Sequence, residues 1–263
     1  MQKHKGSENE EQSTVKRREE KQQSGREVGV FEQERVGPPI RKQEGRGRRR
    51  RADYGSVRVS ERDLVLLGLI GEQYAVTLPQ LARVIERRLH TARSLRDRWK
   101  RAGWVDSGQL STMAPSFVWL TGRGASGSPF RLWQPNHGLA LHIEAVTNVR
   151  LLLERDLRLG EWECERQVAQ DFARDRGRRG HLPDAVLHTS EGRTAVEVEL
   201  TLKSRLRLTA IIEELSLDYE QVWYFVPQRL APTLTELAAA APCGNVSVYR
   251  YPPPPAEIAT SAR

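Results

Sequence analysis

Apolar residues are almost missing from the first 56 positions, and then arrive in two different rhythms. From Val57 they recur every three or four residues, the period of a helix with one buried face. Ser60 followed by Asp63 predicts a helix start, with Leu64, Leu67 and Ile70 on one face and Gly71 at the end. A second helix is expected from Thr77, with Pro79 in its first turn, Gln80 three residues after the cap, and Leu81, Val84 and Ile85 inward. A third runs from His90 to Ala102, anchored by Leu95 and Trp99 and stopped by Gly103. "GWVDSG" and "PSFVWLTGRG" then read as two short strands of a hairpin. Trp99, Trp104 and Trp119 are expected in the core of this part.

"SGSP", Ser126 to Pro129, marks a junction. A long helix is predicted from His137 to Leu157, with a stripe of Leu139, Ile143, Val146, Val149, Leu152 and Leu153. Beyond it the pattern alternates. "EWECERQVA" reads as a strand, "DFARDRGRRG" as an Arg-rich loop, "PDAVLHT" as a strand and Glu191-Gly192 as a turn. "RTAVEVELTL" reads as a longer strand, "SRLRLTAIIEELSLD" as a helix, "QVWYFVP" as a buried strand, "APTLTELAAAA" as a helix and "NVSVYRY" as a last strand. The expected class is α+β with two domains, residues 57–128 and 135–252. The polar segment 1–56 and the Pro-rich segment 253–263 are expected to be disordered.

Charge narrows the partners. The chain has 42 Lys and Arg against 34 Asp and Glu, a net +8, so nucleic acid leads and an anionic membrane surface comes second; the helix pattern directs this to double-stranded DNA. Segment 1–56 carries fifteen Lys and Arg against ten Asp and Glu, much of the surplus in Arg46–Arg51. Such a run either adds phosphate contacts or is a solvated linker. Three short helices and a hairpin outline a winged helix-turn-helix, whose third helix enters the major groove. Arg88, His90, Arg93, Arg96, Lys100 and Arg101 would supply its donors. The alternatives are a solvated helix face or a protein-docking surface. Two cysteines, Cys164 and Cys243, allow one bridge at most and suit a reducing cytoplasm. The polar N-terminal segment predicts no secretory signal, and no apolar run is long enough to span a bilayer. No phosphate-binding Gly-rich loop occurs, so ATP hydrolysis is not expected. Tyr219, Tyr224, Tyr249 and Tyr251 lack the accompanying His-x-His motif of a relaxase, and Tyr224 reads as core.

The acids of "GHLPDAVLHTSEGRTAVEVELTLKS" remain. Alternation puts Val196, Val198, Leu200 and Leu202 on one strand face and Glu197, Glu199 and Thr201 on the other. Pairing through the Glu191-Gly192 turn brings Asp184 towards Glu197, Glu199 and Lys203. Either these acids decorate a wet sheet face, or Asp184, Glu197 and Glu199 hold a Mg²⁺ ion with Lys203 stabilising developing charge. His137 and His142 read as ordinary helix residues.

Pro183-Asp184, Glu197-x-Glu199 and Lys203 resemble the PD-(D/E)xK nuclease-like superfamily, a restriction-endonuclease-like α/β fold. That resemblance implies Asp184 and Glu197 as metal ligands and a helical acid at Glu144 or Glu154. Glu199 stands where the motif usually has Lys, which puts catalysis in doubt. The order "SERDLVLLGLI", "TLPQLARVI", "ARSLRDRWKRAGWV", "VWLTGRG", "PDAVL" and "AVEVELTLKS" also resembles the replication-relaxation family of bacterial plasmids and integrative elements, over about residues 57–227. This implies DNA binding in replication or mobilisation, with replication or conjugation proteins as partners. The expectation is a DNA-binding protein with a nuclease-like domain. Its alternatives are a Mg-dependent endonuclease or nickase, and a protein-interaction adaptor. Nothing in the sequence sets the oligomeric state.

Overall fold

Capping chemistry starts the first helix. The Ser60 hydroxyl accepts from the Asp63 amide, and the Asp63 carboxylate accepts from the Ser60 amide. In the computed structural model, which describes residues 58–175 and 180–252, this opens α1 (Glu61–Glu72). The basic run Arg46–Arg51 and the segments 1–56 and 253–263, which were expected to be disordered, lie outside the described residues.

Strand β1 (Ala75–Thr77) leads into α2 (Leu78–Val84), which a second capping box between Thr77 and Gln80 opens. Then come α3 (Leu89–Arg101), β2 (Val105–Gly108) and β3 (Phe117–Leu120). The three strands form an antiparallel sheet in the order β1-β3-β2. Trp99 is fully buried at the centre of this part, with Ile70, Leu81, Ala92 and Val118 around it. Asp63 is also fully buried and accepts from the Trp99 indole at 3.0 Å and from the Arg98 guanidinium. The inward face of α1 is therefore Asp63, Leu66, Leu67 and Ile70. Leu64, expected inside, is 61% exposed, because the face that carries the cap's carboxylate is the one that packs.

A 3₁₀ turn (His137–Leu139) opens α4 (Ala140–Arg150), and a π-helical turn (Leu151–Asp156) continues it. Leu139, expected in the stripe, is exposed; Ile143, Val146, Val149, Leu152 and Leu153 are buried. Strand β4 (Glu161–Cys164) is short and runs straight into α5 (Glu165–Asp175). The strand expected over "EWECERQVA" thus ends at Cys164, and much of the expected loop is helix. Trp162 and Cys164 alternate, but Val168, Ala169 and Phe172 are spaced for a helix. Next come β5 (Ala185–Thr189), β6 (Gly192–Val198), α6 (Arg205–Asp218), β7 (Gln221–Val226), α7 (Ala231–Ala239) and β8 (Val246–Arg250). They complete a mixed sheet in the order β4-β5-β6-β7-β8, antiparallel from β4 to β6 and parallel from β6 to β8.

Both faces of this sheet are covered. α4 and its π turn pack Val149, Leu152 and Leu153 on Leu187, Val196, Val198 and Phe225. The crossover helices α6 and α7 pack Leu208, Ile212, Leu215 and Leu234 on Ala195, Val222, Tyr224 and Val226. Parallel crossovers place helices over the sheet face, so β6 has no wet side. The strand stops at Val198, earlier than expected, and Leu202 beyond it is exposed. A further cluster joins Ala75, Leu110 and Phe117 to Ala140 and Ile143, so the segment between the two sheets is crossed by shared core. Both cysteines are free.

Removing the Asp63 carboxylate unmakes a cap and strands the buried indole N–H. Asp63→Ala is expected to cost about 2–4 kcal/mol in urea unfolding. Leu64→Ala should stay within about 0.5 kcal/mol of the parent. Equal midpoints for the two variants would remove Asp63 from the fold's supports.

Candidate functional site

The β5–β6 pairing sets Ala185 opposite Val196, which brings Asp184 beside Glu197 at the end of the ladder. Asp184 Oδ2 accepts from the Val198 amide at 2.7 Å, fixing the carboxylate against the strand. Its Oδ1 lies 2.9 Å from His142 Nε2, on α4. Glu197 is 3% exposed, and its Oε1 lies 2.9 Å from His181 Nε2. His181 is placed by the loop before β5, where its amide donates to Glu214 Oε1 on α6 at 2.8 Å. Gly180 makes that loop possible: φ is +110°, and a Cβ there would sit 2.3 Å from the same Glu214 oxygen. Glu199, 4% exposed, pairs with Lys203.

Two carboxylate–imidazole pairs therefore lie side by side. Burial raises the Glu197 pKa, and the charge of Asp184 raises it further, to about 7, against the opposing pull of His181 and Lys203. Burial pulls both imidazoles down, but Asp184 outweighs it at His142 and Glu197 does so at His181, so both are held above the ordinary range. Tyr224, the register partner of Glu197 on β7, is buried with no hydrogen-bond partner for its hydroxyl among the described residues. Burial and the charges of Glu197, Glu199 and Asp184 hold that phenol protonated. Glu197, His142 and His181, unlike Tyr224, are placed to take or give a proton near neutral pH.

Among the described residues the helical acid that lies with Asp184 is Glu165, and neither Glu144 nor Glu154 is paired with it. Glu154 is committed to Arg150, at 2.8 Å, and the Glu144 carboxyl is raised by burial alone. Glu165, the first residue of α5, is the one whose pKa is raised by burial and by Asp184; it accepts from the Tyr74 hydroxyl at 2.9 Å. Sequence reading missed Glu165, His142 and His181. The helical spacing after Cys164 was the signal for the first. His142 and His181 fall at ordinary positions, and only the fold brings them to the acids.

Asp184, Glu197 and Glu199 offer oxygen donors of the kind a magnesium ion takes, and each carboxylate also meets a group of the chain. Both Asp184 oxygens and Glu197 Oε1 are engaged by groups of the chain, and Glu199 is engaged by Lys203. Among the described residues no three of His, Cys, Asp and Glu are grouped to hold a metal.

The second candidate surface is α3. Arg88, His90, Arg93, Lys100 and Arg101 are exposed along it, and Arg96 is half-buried. Arg96 leans on Asp97 at 2.7 Å and Lys100 on Asp106 at 2.6 Å. Among the described residues Arg88, Arg93 and Arg101 have no carboxylate partner, while Arg98 turns inward to Asp63. No helix among the described residues is long and apolar enough to cross a membrane. No family model matches the sequence, and no curated protein matches it.

The pH dependence follows from Glu197. Its folded pKa lies above the ordinary 4.5, so the folded chain keeps a proton that the unfolded chain has released. Stability therefore falls as pH rises from the ordinary carboxylate range through neutrality. The two histidines act in the same direction, since a raised imidazole stabilises only while protonated. Glu197→Gln is expected to match the parent near pH 4 and to exceed it in thermal midpoint at about pH 8. A variant less stable than the parent at about pH 8 would mean that the fold favours the charged form of Glu197 and lowers its pKa.

Proposed function

We propose that this chain is a DNA-binding protein built from a winged helix-turn-helix and a PD-(D/E)xK-like domain whose acids no longer serve hydrolysis. The supporting observation is the element order α1-β1-α2-α3-β2-β3 with a β1-β3-β2 sheet, which leaves the basic side of α3 exposed. In that architecture the third helix lies in the major groove and the β2–β3 loop beside it. Arg93 and Arg101 supply donors able to reach guanine edges or phosphates, and Arg88 marks the N-terminal end of the same helix. The sequence's resemblance to the replication-relaxation family directs this reading towards replication or mobilisation of a plasmid or integrative element. Replication or conjugation proteins are the matching partners, and the cytoplasm the matching compartment.

A Mg-dependent endonuclease or nickase would rest on the adjacency of Asp184 and Glu197. The hydrogen bonds to those acids favour the binding reading, because His142, His181 and the Val198 amide already engage oxygens that a metal would use.

Affinity for duplex DNA drawn from the native genetic neighbourhood should fall steeply with salt. Arg93→Ala with Arg101→Ala should weaken binding by about 10- to 100-fold and flatten the salt slope. Binding unchanged by that pair of substitutions would remove α3 as the reader. Supercoiled plasmid incubated with Mg²⁺ or Mn²⁺ should show no nicking above that of Asp184→Ala/Glu197→Ala. Metal-dependent nicking lost in the double variant would restore the nuclease reading.

A further inference from the structure

Beside the acid–histidine pairs lies an open groove of about 710 Å³. Tyr74, Phe130, Arg131, Trp133, Arg166 and Phe172 are among its walls, and among the described residues no Asp or Glu lines it. Its volume falls within the range of small-ligand sites, about 300–1,000 Å³. Tyr74 in its wall also lines the small pocket holding His142, Glu165 and Asp184. Gly180 and Leu182, which flank His181 in the chain, line it as well.

The walls are built rather than loose. The Arg166 guanidinium lies over the Tyr74 ring at 4.8 Å and the Phe130 ring at 4.7 Å. It also donates to the Gly71 and Arg131 carbonyls, tying α1, the segment after β3 and α5 together. Tyr74 is fixed at a positive φ of 66°, with its ring 6.0 Å from Trp133 and its hydroxyl on Glu165. The charged end of Arg131 is exposed and has no carboxylate partner among the described residues. The Trp133 indole and the Phe172 ring are only half-buried.

Aromatic faces interleaved with arginines, and free of carboxylates, suit unpaired nucleotides. Bases stack on the rings whatever their identity, and arginines meet the phosphates. A duplex keeps its bases stacked inside and cannot offer them to such a groove. We infer that this groove binds a single-stranded stretch of DNA, seating unpaired bases on Trp133 and Phe172 and leading the strand to the acid–histidine pairs. The inference rests on the DNA-binding reading and adds the form of DNA the second half takes. Recognition would then be divided, with α3 holding duplex and the groove holding the opened strand beside it.

The test is binding of a fluorescent oligothymidylate and of a duplex to the full chain, for the parent, Trp133→Ala, Arg131→Glu and Arg93→Ala/Arg101→Ala. Stacking on one aromatic is worth about 1–3 kcal/mol, so Trp133→Ala should weaken the single strand about 5- to 150-fold. Arg131→Glu, at an exposed position, should weaken it without disturbing the core. Both should leave duplex affinity unchanged, whereas the α3 variant should lose duplex and retain the single strand. Single-strand affinity untouched by both groove variants would overturn the inference. Duplex binding with no single-strand binding would also overturn it, keep the DNA-binding reading, and leave the groove to a protein partner. Loss of both DNA forms in the parent would sink the DNA-binding reading itself.

Discussion

A carboxylate in a strand covered on both faces must find its compensation inside the protein. Glu197 sits in β6 between the packing of α4 on one side and of α6 and α7 on the other, with Asp184 beside it. Glu197 is out of reach of water and Asp184 is only partly exposed, so charge is offset by what the fold brings: His181, His142, the Val198 amide and Lys203. Those partners come from α4, from the loop after α5 and from the segment that follows β6. The acid pair thereby fixes the position of three elements around one end of the sheet.

The same economy of partners links the two sheets. Arg150, buried on α4, joins Glu72 at the end of α1 to Glu154. The Gln80 amide of the second capping box reaches the Glu144 carbonyl and the Asn148 side chain, both at 2.8 Å. Arg155 donates to the Arg83 carbonyl and pairs with Glu86. These contacts anchor α1 and α2 to α4 and its π-helical turn, which pack on the large sheet.

Much of the fold was legible. Capping residues marked the starts of α1 and α2, Leu95 and Trp99 marked the buried side of α3, and the turn at Glu191-Gly192 placed Asp184 near Glu197. The errors have local causes. Leu64 fits the helical period, but the face was set by Asp63, a polar residue buried because Trp99 and Arg98 satisfy it. The alternation of Trp162 and Cys164 hid the switch to helix at Glu165. Glu197 and Glu199 had the spacing of a wet sheet face and lie buried, since strand alternation records two faces without saying what covers each.

The sequence by itself determined the helix caps, the period of the apolar positions, the basic character of α3 and the pairing of β5 with β6, because each depends on residues a few positions apart. Tertiary structure alone decided which acids share an environment. Glu144 and Glu154 were the nearer candidates on a helix, yet Glu165 lies with Asp184, and His142 and His181 reach the acids from 42 and 16 positions away. Charge and burial act through space, so the composition of the site was set by how the helices close over the sheet.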